Sequence, residues 1–169
     1  MKAETETLKG GAGNTKAWND WRWQLRHAVR GASEEVCAFG VEASVAERVQ
    51  RRYPVLLTPY ALAQLSRDKP ADPLNLQALP SAEELVPERG MVADPFEEKT
   101  HAACCYGLKQ RFPDRVLVMA NGGCAMACRH CTRKGLLKGA EVVRTPAQTA
   151  DAVAWVKGHP AVREVLLSG

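Results

Sequence analysis

Apolar residues recur at helical spacing through the first half of the chain, separated by polar stretches. Four of them predict a first helix from about residue 17 to residue 30, because positions three or four apart share one helix face. They are Trp18, Trp21, Leu25 and Ala28. Three later helix starts are predicted where a side-chain oxygen can cap the first turn or proline occupies the first helical position. These signals are Ser44 with Glu47, Thr58 with Pro59, and Ser81 with Glu84.

The pattern changes after residue 112. Residues 115–120 form a short continuous apolar run, as expected for a strand that is buried on both faces. Two glycines after an asparagine, at 121–123, interrupt this run. A helix with capping and proline start signals is predicted over 145–157, and a second apolar strand over 162–167. The order strand, loop, helix, strand predicts a βαβ unit.

These elements predict an α/β protein in which helices precede the βαβ unit. The predicted organisation is a flexible tail at 1–14, a helical N-terminal domain at 15–86, a linker at 87–112 and an incomplete β/α domain at 113–169. Parallel sheets are ordinarily buried on both faces, which two strands alone cannot achieve. We therefore expect the chain to be the N-terminal part of a longer polypeptide.

Composition is that of a globular protein without a strong electrostatic or membrane signal. The 169 residues are 46% hydrophobic and 25% charged, with a formal net charge of +4, which is too small to predict nucleic-acid binding. No segment approaches the roughly 20 apolar residues of a membrane helix, and the polar first residues are not those of a secretory signal. Six cysteines without such a signal predict reduced thiols, metal binding and a cytoplasmic location.

The most informative motif is a set of three cysteines directly after the first predicted strand. Cys124, Cys128 and Cys131 have the spacing C-x3-C-x2-C. A 4Fe-4S cluster is normally held by four cysteines, so three would leave one iron open to a cosubstrate. The glycines at 122 and 123 allow the backbone to bend around such a cluster.

Other interpretations of these cysteines remain open on the residues alone. One is a structural zinc site with His130 or His101 as fourth ligand, although zinc sites favour paired C-x2-C motifs. Another is an iron–sulfur centre with a distant fourth ligand such as Cys105, as in a ferredoxin-like electron carrier. A third is that the cysteines are simply buried.

Segments spread over nearly the whole chain resemble the lysine 2,3-aminomutase family of radical S-adenosylmethionine (SAM) enzymes. The cysteine spacing by itself indicates only a radical SAM enzyme. The longer run Cys-Arg-His-Cys-Thr-Arg and the tryptophan-rich beginning indicate the aminomutase branch. The matching segments are 18–25, 58–60, 77–85, 112–119, 124–134 and 165–169. The resemblance implies that the βαβ unit is the start of a truncated radical SAM (β/α) barrel.

The resemblance also implies an activity. Such enzymes are isomerases that move an amino group from the α- to the β-carbon of an amino acid, using a 4Fe-4S cluster, SAM and pyridoxal 5′-phosphate (PLP). Lysine is the expected substrate, with glutamate or another amino acid as the alternative. An external electron donor and a homo-oligomeric full-length protein are further expectations, with no nucleic-acid or membrane partner.

Individual positions take roles from the same resemblance. The three cysteines would bind three irons. His130 would contact the SAM adenine and Gly169 the SAM amino group, Arg115 and Phe112 would lie at PLP, and Arg133 would bind the substrate carboxylate. Phe112 stands where the family usually has a tyrosine, so it keeps the ring and lacks the hydroxyl. No catalytic residue is assigned.

Two of these arginines have simpler interpretations. Arg115 is also a solvated arginine at the start of a strand, and Arg133 also adds general positive charge near an anionic cluster, together with Arg129 and Lys134. By resemblance, the lysine that anchors PLP lies beyond residue 169, so we expect the chain by itself to be inactive. A zinc-binding structural module is the rival function from a different class.

Overall fold

The computed structural model describes residues 15–87, 90, 92, 97, 105–134 and 144–168. The predicted tail at 1–14, most of the predicted linker, and the candidate residues His101 and Gly169 lie outside these ranges. The chain divides into two compact units. Among the described residues, the first unit holds 15–87 and 124–134, and the second holds the remainder.

The first unit consists of short helices and one small sheet. Its elements are α1 (Thr15–Trp18), α2 (Trp21–Arg26), β1 (Val29–Arg30), α3 (Glu34–Cys37), α4 (Ala43–Arg52), β2 (Leu56–Leu57), α5 (Pro59–Ala63), α6 (Pro73–Ala78) and a 3₁₀ turn (Ala82–Leu85). The strands β1 and β2 pair in antiparallel fashion.

The first predicted helix is interrupted, which corrects the expectation of one helix over 17–30. Asp20 separates α1 from α2, because its carboxylate accepts a hydrogen bond from the backbone N–H of Arg22 at 2.9 Å and so begins a new helix. The chain leaves helical geometry after Arg26, and the following residues form β1. A local side-chain hydrogen bond here outweighs the helical periodicity of the tryptophans.

The predicted helix starts fare differently from one another. Thr58 caps α5 as predicted, with Pro59 in the first turn. The predicted capping box of Ser44 is wrong, because α4 begins after Glu42 and the Ser44 hydroxyl donates to the Glu42 carboxylate instead. Helix α6 was not predicted; it is capped by Asp72 and has Pro73 at its first position.

The core of the first unit lies between the small sheet and the helices. Its buried residues are Val36, Val55, Leu57, Leu62, Ala78 and Leu79. Met126, from the cysteine segment, packs against this cluster. The cysteine segment therefore contributes to the hydrophobic packing of the helical unit.

The second unit contains a three-stranded sheet with the order β3–β4–β5. Its elements are β3 (Leu108–Phe112), β4 (Arg115–Met119), α7 (Pro146–Lys157) and β5 (Glu164–Ser168). The two predicted strands and the helix between them in sequence are confirmed, and β4 runs parallel to β5. That this unit begins a truncated radical SAM barrel stays a prediction.

Strand β3 lies within the range that was interpreted as a linker. It pairs with β4 in antiparallel fashion across the turn at Pro113 and Asp114, with a register irregularity between Lys109 and Phe112. That irregularity and the charged residues of β3 obscure the alternating pattern by which strands are recognised. Residues 108–112, the C-terminal end of the predicted linker, therefore form a strand.

Helix α7 begins with the capping box predicted from the sequence. The Gln148 backbone N–H donates to the Thr145 hydroxyl oxygen at 3.2 Å, and the Thr145 backbone N–H donates to the Gln148 side chain at 2.9 Å. Leu108, Val116, Val118 and Ala152 form the buried cluster between this helix and the sheet. No helix in the described parts of the chain is long and apolar enough to cross a membrane.

Candidate metal centre

The cysteine segment, residues 124–134, belongs to the first unit and not to the unit of the strand that precedes it. The sequence predicts this segment in the same domain as that strand, within residues 113–169. The segment runs beside β2: the Thr58 N–H donates to the Ala125 carbonyl and the Ala127 N–H donates to the Leu56 carbonyl, each at 3.0 Å. Met126 forms an antiparallel bridge with Leu57 between these bonds. The segment thus extends the β1–β2 sheet.

Two of the three sulfurs converge on one carbonyl oxygen. The Sγ of Cys124 donates to the Met126 carbonyl at 2.7 Å, and the Sγ of Cys128 lies 3.7 Å from the same oxygen. The Cys131 N–H donates to the Cys128 carbonyl at 3.0 Å, which closes a tight turn between the second and third cysteines. All three are partly buried free thiols.

The electrostatic surroundings favour the neutral form of the first thiol. Burial raises the pKa of Cys124; the hydrogen bond to the Met126 carbonyl opposes this in part, and the charges of Cys128 and Cys131 add smaller increases. Three thiolates close together would repel one another, and a bound cation would offset that repulsion. Metal binding would displace protons from these thiols, so its affinity should fall with decreasing pH.

The three cysteines suit an iron–sulfur cluster by their chemistry, because such a cluster takes cysteine thiolates, each on a different iron. In the described ranges, no three histidine, cysteine or acidic side chains are placed to hold one metal ion. Soft thiolate ligands also select iron–sulfur clusters over hard cations. Of the alternative fourth ligands, His130 is exposed, His101 is not among the described residues, and Cys105 belongs to the second unit.

Arg129, between the second and third cysteines, is the buried anchor of the segment. Its side chain is 6% exposed. The guanidinium donates to both oxygens of the Glu84 carboxylate, at 2.9 and 2.6 Å, and to the Pro54 carbonyl at 2.8 Å. Its backbone N–H donates to the Gln77 carbonyl at 2.7 Å. A two-pronged bond to a carboxylate fixes orientation as well as distance.

Lys134 completes the ion-pair network at the other end of the segment. Its ammonium group donates to Glu84 at 2.9 Å and to the Arg129 carbonyl at 2.7 Å. It also lies over the Tyr53 ring, 4.2 Å from the centroid. Arg129 and Lys134 thus bind one carboxylate from the centre and the C-terminal end of the cysteine segment.

Glu84 is ionised despite its burial. Burial by itself would raise the pKa of Glu84, but the hydrogen bonds from Arg129 and Lys134 and the charge of Arg129 outweigh it, so the pKa lies below the ordinary value of 4.5. Glu84 also accepts a bond from the Ser81 N–H at 3.2 Å, as the predicted capping box requires. One carboxylate therefore caps the 3₁₀ turn and binds the cysteine segment.

The sequence-predicted residues near the cysteines are all in the first unit. His130 is exposed and Arg133 is partly buried. Gly169, assigned to SAM by resemblance, lies outside the described residues. Their roles at SAM and at a substrate carboxylate stay predictions.

Arg115 and Phe112, assigned to PLP, lie together in the second unit. Arg115 begins β4 and pairs with Asp114 at 3.2 Å and with Glu164 at 3.5 Å. Its guanidinium lies over the Phe112 ring, 5.6 Å from the centroid. Hydrogen bonding to Asp114 raises the pKa of Arg115. The guanidinium remains partly exposed, and a phosphate would compete with two carboxylates for it.

Sequence reasoning missed the roles of Gln77, Glu84 and Arg129 in supporting the cysteines. Glu84 was recognised only as a cap, and Arg129 only as a general positive charge. One signal was present in the sequence: an arginine between two candidate ligands has a fixed charge that must be neutralised if it is buried. Nothing in one sequence identifies a partner 45 positions away.

Comparisons with known proteins identify relatives over most of the chain. No protein-family model matches it. The L-lysine 2,3-aminomutase of Clostridium subterminale is 35% identical over 156 residues, which are 90% of this chain and 37% of the relative. The L-lysine 2,3-aminomutase of Bacillus subtilis is 33% identical over 90% of this chain and 33% of its own length. Over 90% of its length the chain is similar to L-lysine 2,3-aminomutases, and it spans less than half the length of these relatives.

These similarities confirm the resemblance stated from the residues, and they extend over only part of the relatives' length. The curated lysine 2,3-aminomutase relatives are covered over 33% to 46% of their lengths. A glutamate 2,3-aminomutase of Clostridioides difficile is 26% identical over 160 residues, covering 93% of this chain and 37% of the relative. The matched relatives thus include aminomutases named for two different amino acids.

We expect Arg129→Met to lower the free energy of unfolding by about 3–5 kcal/mol, because it leaves the buried Glu84 carboxylate without its main partner. Denaturant unfolding of both proteins measures the difference. The matched control is Arg48→Met on the exposed face of α4, which should change stability by less than about 0.5 kcal/mol. Equal effects of the two substitutions would contradict the anchoring role of Arg129.

The pKa of Glu84 also predicts a pH dependence. Because the folded-state pKa is lowered, ionised Glu84 stabilises the fold above its unfolded pKa, and this contribution is lost as the pH falls through the folded value. The stability advantage of the unsubstituted chain over Glu84→Gln should therefore be larger at pH 7 than at pH 4. Unfolding free energies at both pH values measure this, and an advantage that grows on acidification would refute the assignment.

Proposed function

We propose that this chain carries the cluster-binding part of a radical SAM amino-acid 2,3-aminomutase. The observation that carries the proposal is the C-x3-C-x2-C segment, docked on the helical unit, in a chain that matches lysine 2,3-aminomutases over 90% of its length. The activity of the whole protein, its substrate and its cofactors are parts of the proposal.

In this proposal Cys124, Cys128 and Cys131 hold a 4Fe-4S cluster through three of its irons. When bound, the cluster with SAM and PLP would supply the radical chemistry that moves the amino group. The protein positions the ligands: the sheet extension beside β2 fixes one end of the segment and Arg129 fixes its centre. Core packing of Met126 excludes water behind the ligands.

Other residues have proposed binding roles. His130 is exposed next to the third cysteine and is free of core packing, so its ring can stack on an adenine. Arg133 would bind a substrate carboxylate. Arg115 would bind the PLP phosphate with its fork of donors, beside the Phe112 ring.

Lysine is the proposed substrate and glutamate the alternative, since relatives of both names match. An external electron donor, a homo-oligomeric whole protein and a cytoplasmic setting, in which thiols stay reduced, belong to the same proposal. We expect no β-lysine from these residues alone, because the resemblance assigns the lysine that anchors PLP to none of them.

Anaerobic reconstitution with iron and sulfide tests the cluster. We expect a brown protein with about four irons per chain and an electron paramagnetic resonance signal that SAM perturbs. Alanine at Cys124, Cys128 or Cys131 should abolish the cluster, whereas Cys37→Ala, outside the segment, should retain it. The same three substitutions should leave Cys37 and Cys105 as free thiols.

Two results would oppose the proposal in different ways. A colourless protein that binds one zinc per chain would favour the structural zinc module. A cluster whose signal is indifferent to SAM, and which also needs Cys105, would favour an electron carrier with four cysteine ligands.

A further inference from the structure

Gln77 contacts the cysteine segment at two consecutive residues. Its side-chain Nε2 lies 3.6 Å from the Sγ of Cys128, within the range of an N–H···S hydrogen bond. Its backbone carbonyl accepts the N–H of Arg129 at 2.7 Å. The backbone bond sets the register between Gln77 and the segment, and the side-chain bond reaches the sulfur of the middle ligand.

The helix that carries Gln77 is held rigidly. Asn75, two residues earlier on α6, is 2% exposed. Its side-chain amide donates to the Ser66 carbonyl at 2.6 Å and to the Lys69 carbonyl at 3.2 Å, and its oxygen accepts the Ser66 N–H at 3.0 Å. Ala78 follows Gln77 into the core. Rotation of α6 would break these contacts, so they hold the backbone of Gln77 on the side of α6 that contacts the cysteine segment.

Cys128 is also held from a second side. Its sulfur faces the Met126 carbonyl at 3.7 Å, while its backbone N–H donates to that same carbonyl at 2.9 Å. An amide donor is the chemically suited neighbour for a sulfur that becomes an anionic ligand. Hydrogen bonds to ligating sulfurs raise the reduction potential of iron–sulfur clusters, and partners that orient ligands strengthen metal binding.

We propose that Gln77 is a positioning residue for the cluster: its amide orients the Cys128 sulfur and stabilises the ligand's negative charge. The inference rests on the proposed function, since it presupposes a cluster at the three cysteines. It adds a residue from α6 to the site and assigns it an effect on the potential of the cluster.

Substitution in the full 169-residue chain tests this role. Gln77→Met keeps the length of the side chain and removes the donor. After reconstitution we expect loss of iron to a chelator to be on the order of tenfold faster than in the unsubstituted chain, and the reduction potential to be more negative. Gln64→Met is the matched control, because Gln64 is an exposed glutamine at the end of α5; it should change neither quantity.

Gln77→Glu separates this effect from a structural one. It preserves the shape of the side chain and replaces the donor by a carboxylate, so the potential should fall below that of Gln77→Met. If Gln77 only supported the fold, both substitutions would lower the unfolding midpoint. The reduction potential of the Gln77→Glu cluster would then not lie below that of the Gln77→Met cluster.

A measurement on the metal-free chain addresses the contact directly. In nitrogen-15 NMR spectra, Cys128→Ala should shift the side-chain amide of Gln77 and leave that of Gln64 in place. An unshifted Gln77 amide would refute the inference, as would a Gln77→Met cluster with unchanged potential and iron retention. An unsubstituted chain that takes up no cluster would instead refute the proposed function, and the role of Gln77 with it.

Discussion

The ion pair between Arg129 and Glu84 is the interaction on which the candidate site depends. Both side chains are nearly buried, at 6% and 10% exposure, and their closest atoms are 2.6 Å apart. A buried pair of this kind adds little net stability relative to apolar packing, but losing one partner is costly because the other charge stays behind. Replacing either partner alone is therefore destabilising, and the intact pair holds the segment that carries the cysteines.

The location of that pair explains why the ligands belong to the helical unit. Glu84 stands in a 3₁₀ turn whose start it also caps, so its carboxylate cannot move without unwinding the turn. Lys134 reaches the same carboxylate from the far end of the segment. With the extension of the β1–β2 sheet, the segment is held at its beginning, centre and end. The cysteines are therefore presented on a segment that the fold itself holds in place.

Helix starts were predicted correctly where the hydrogen bond that stabilises them joins residues close together in the sequence. The caps of α5 and α7 connect residues three positions apart, so spacing alone reveals them. The predictions were wrong where two local contacts compete. Asp20 begins a new helix where the tryptophan periodicity predicts one continuous helix, and the Ser44 hydroxyl donates to the Glu42 carboxylate and does not cap a helix. Strand β3 was missed because its pairing partner β4, rather than its own pattern, defines it.

The sequence by itself determined the C-x3-C-x2-C motif and the similarity to lysine 2,3-aminomutases, because both depend on residue types and their spacing along the chain. It also determined the parallel strands and the helix between them. Only the tertiary structure decided which unit the cysteines join and which side chains support them. Gln77 and Glu84 lie 51 and 45 positions from their partners, and contacts at such separations follow from how the core packs, which no local spacing encodes.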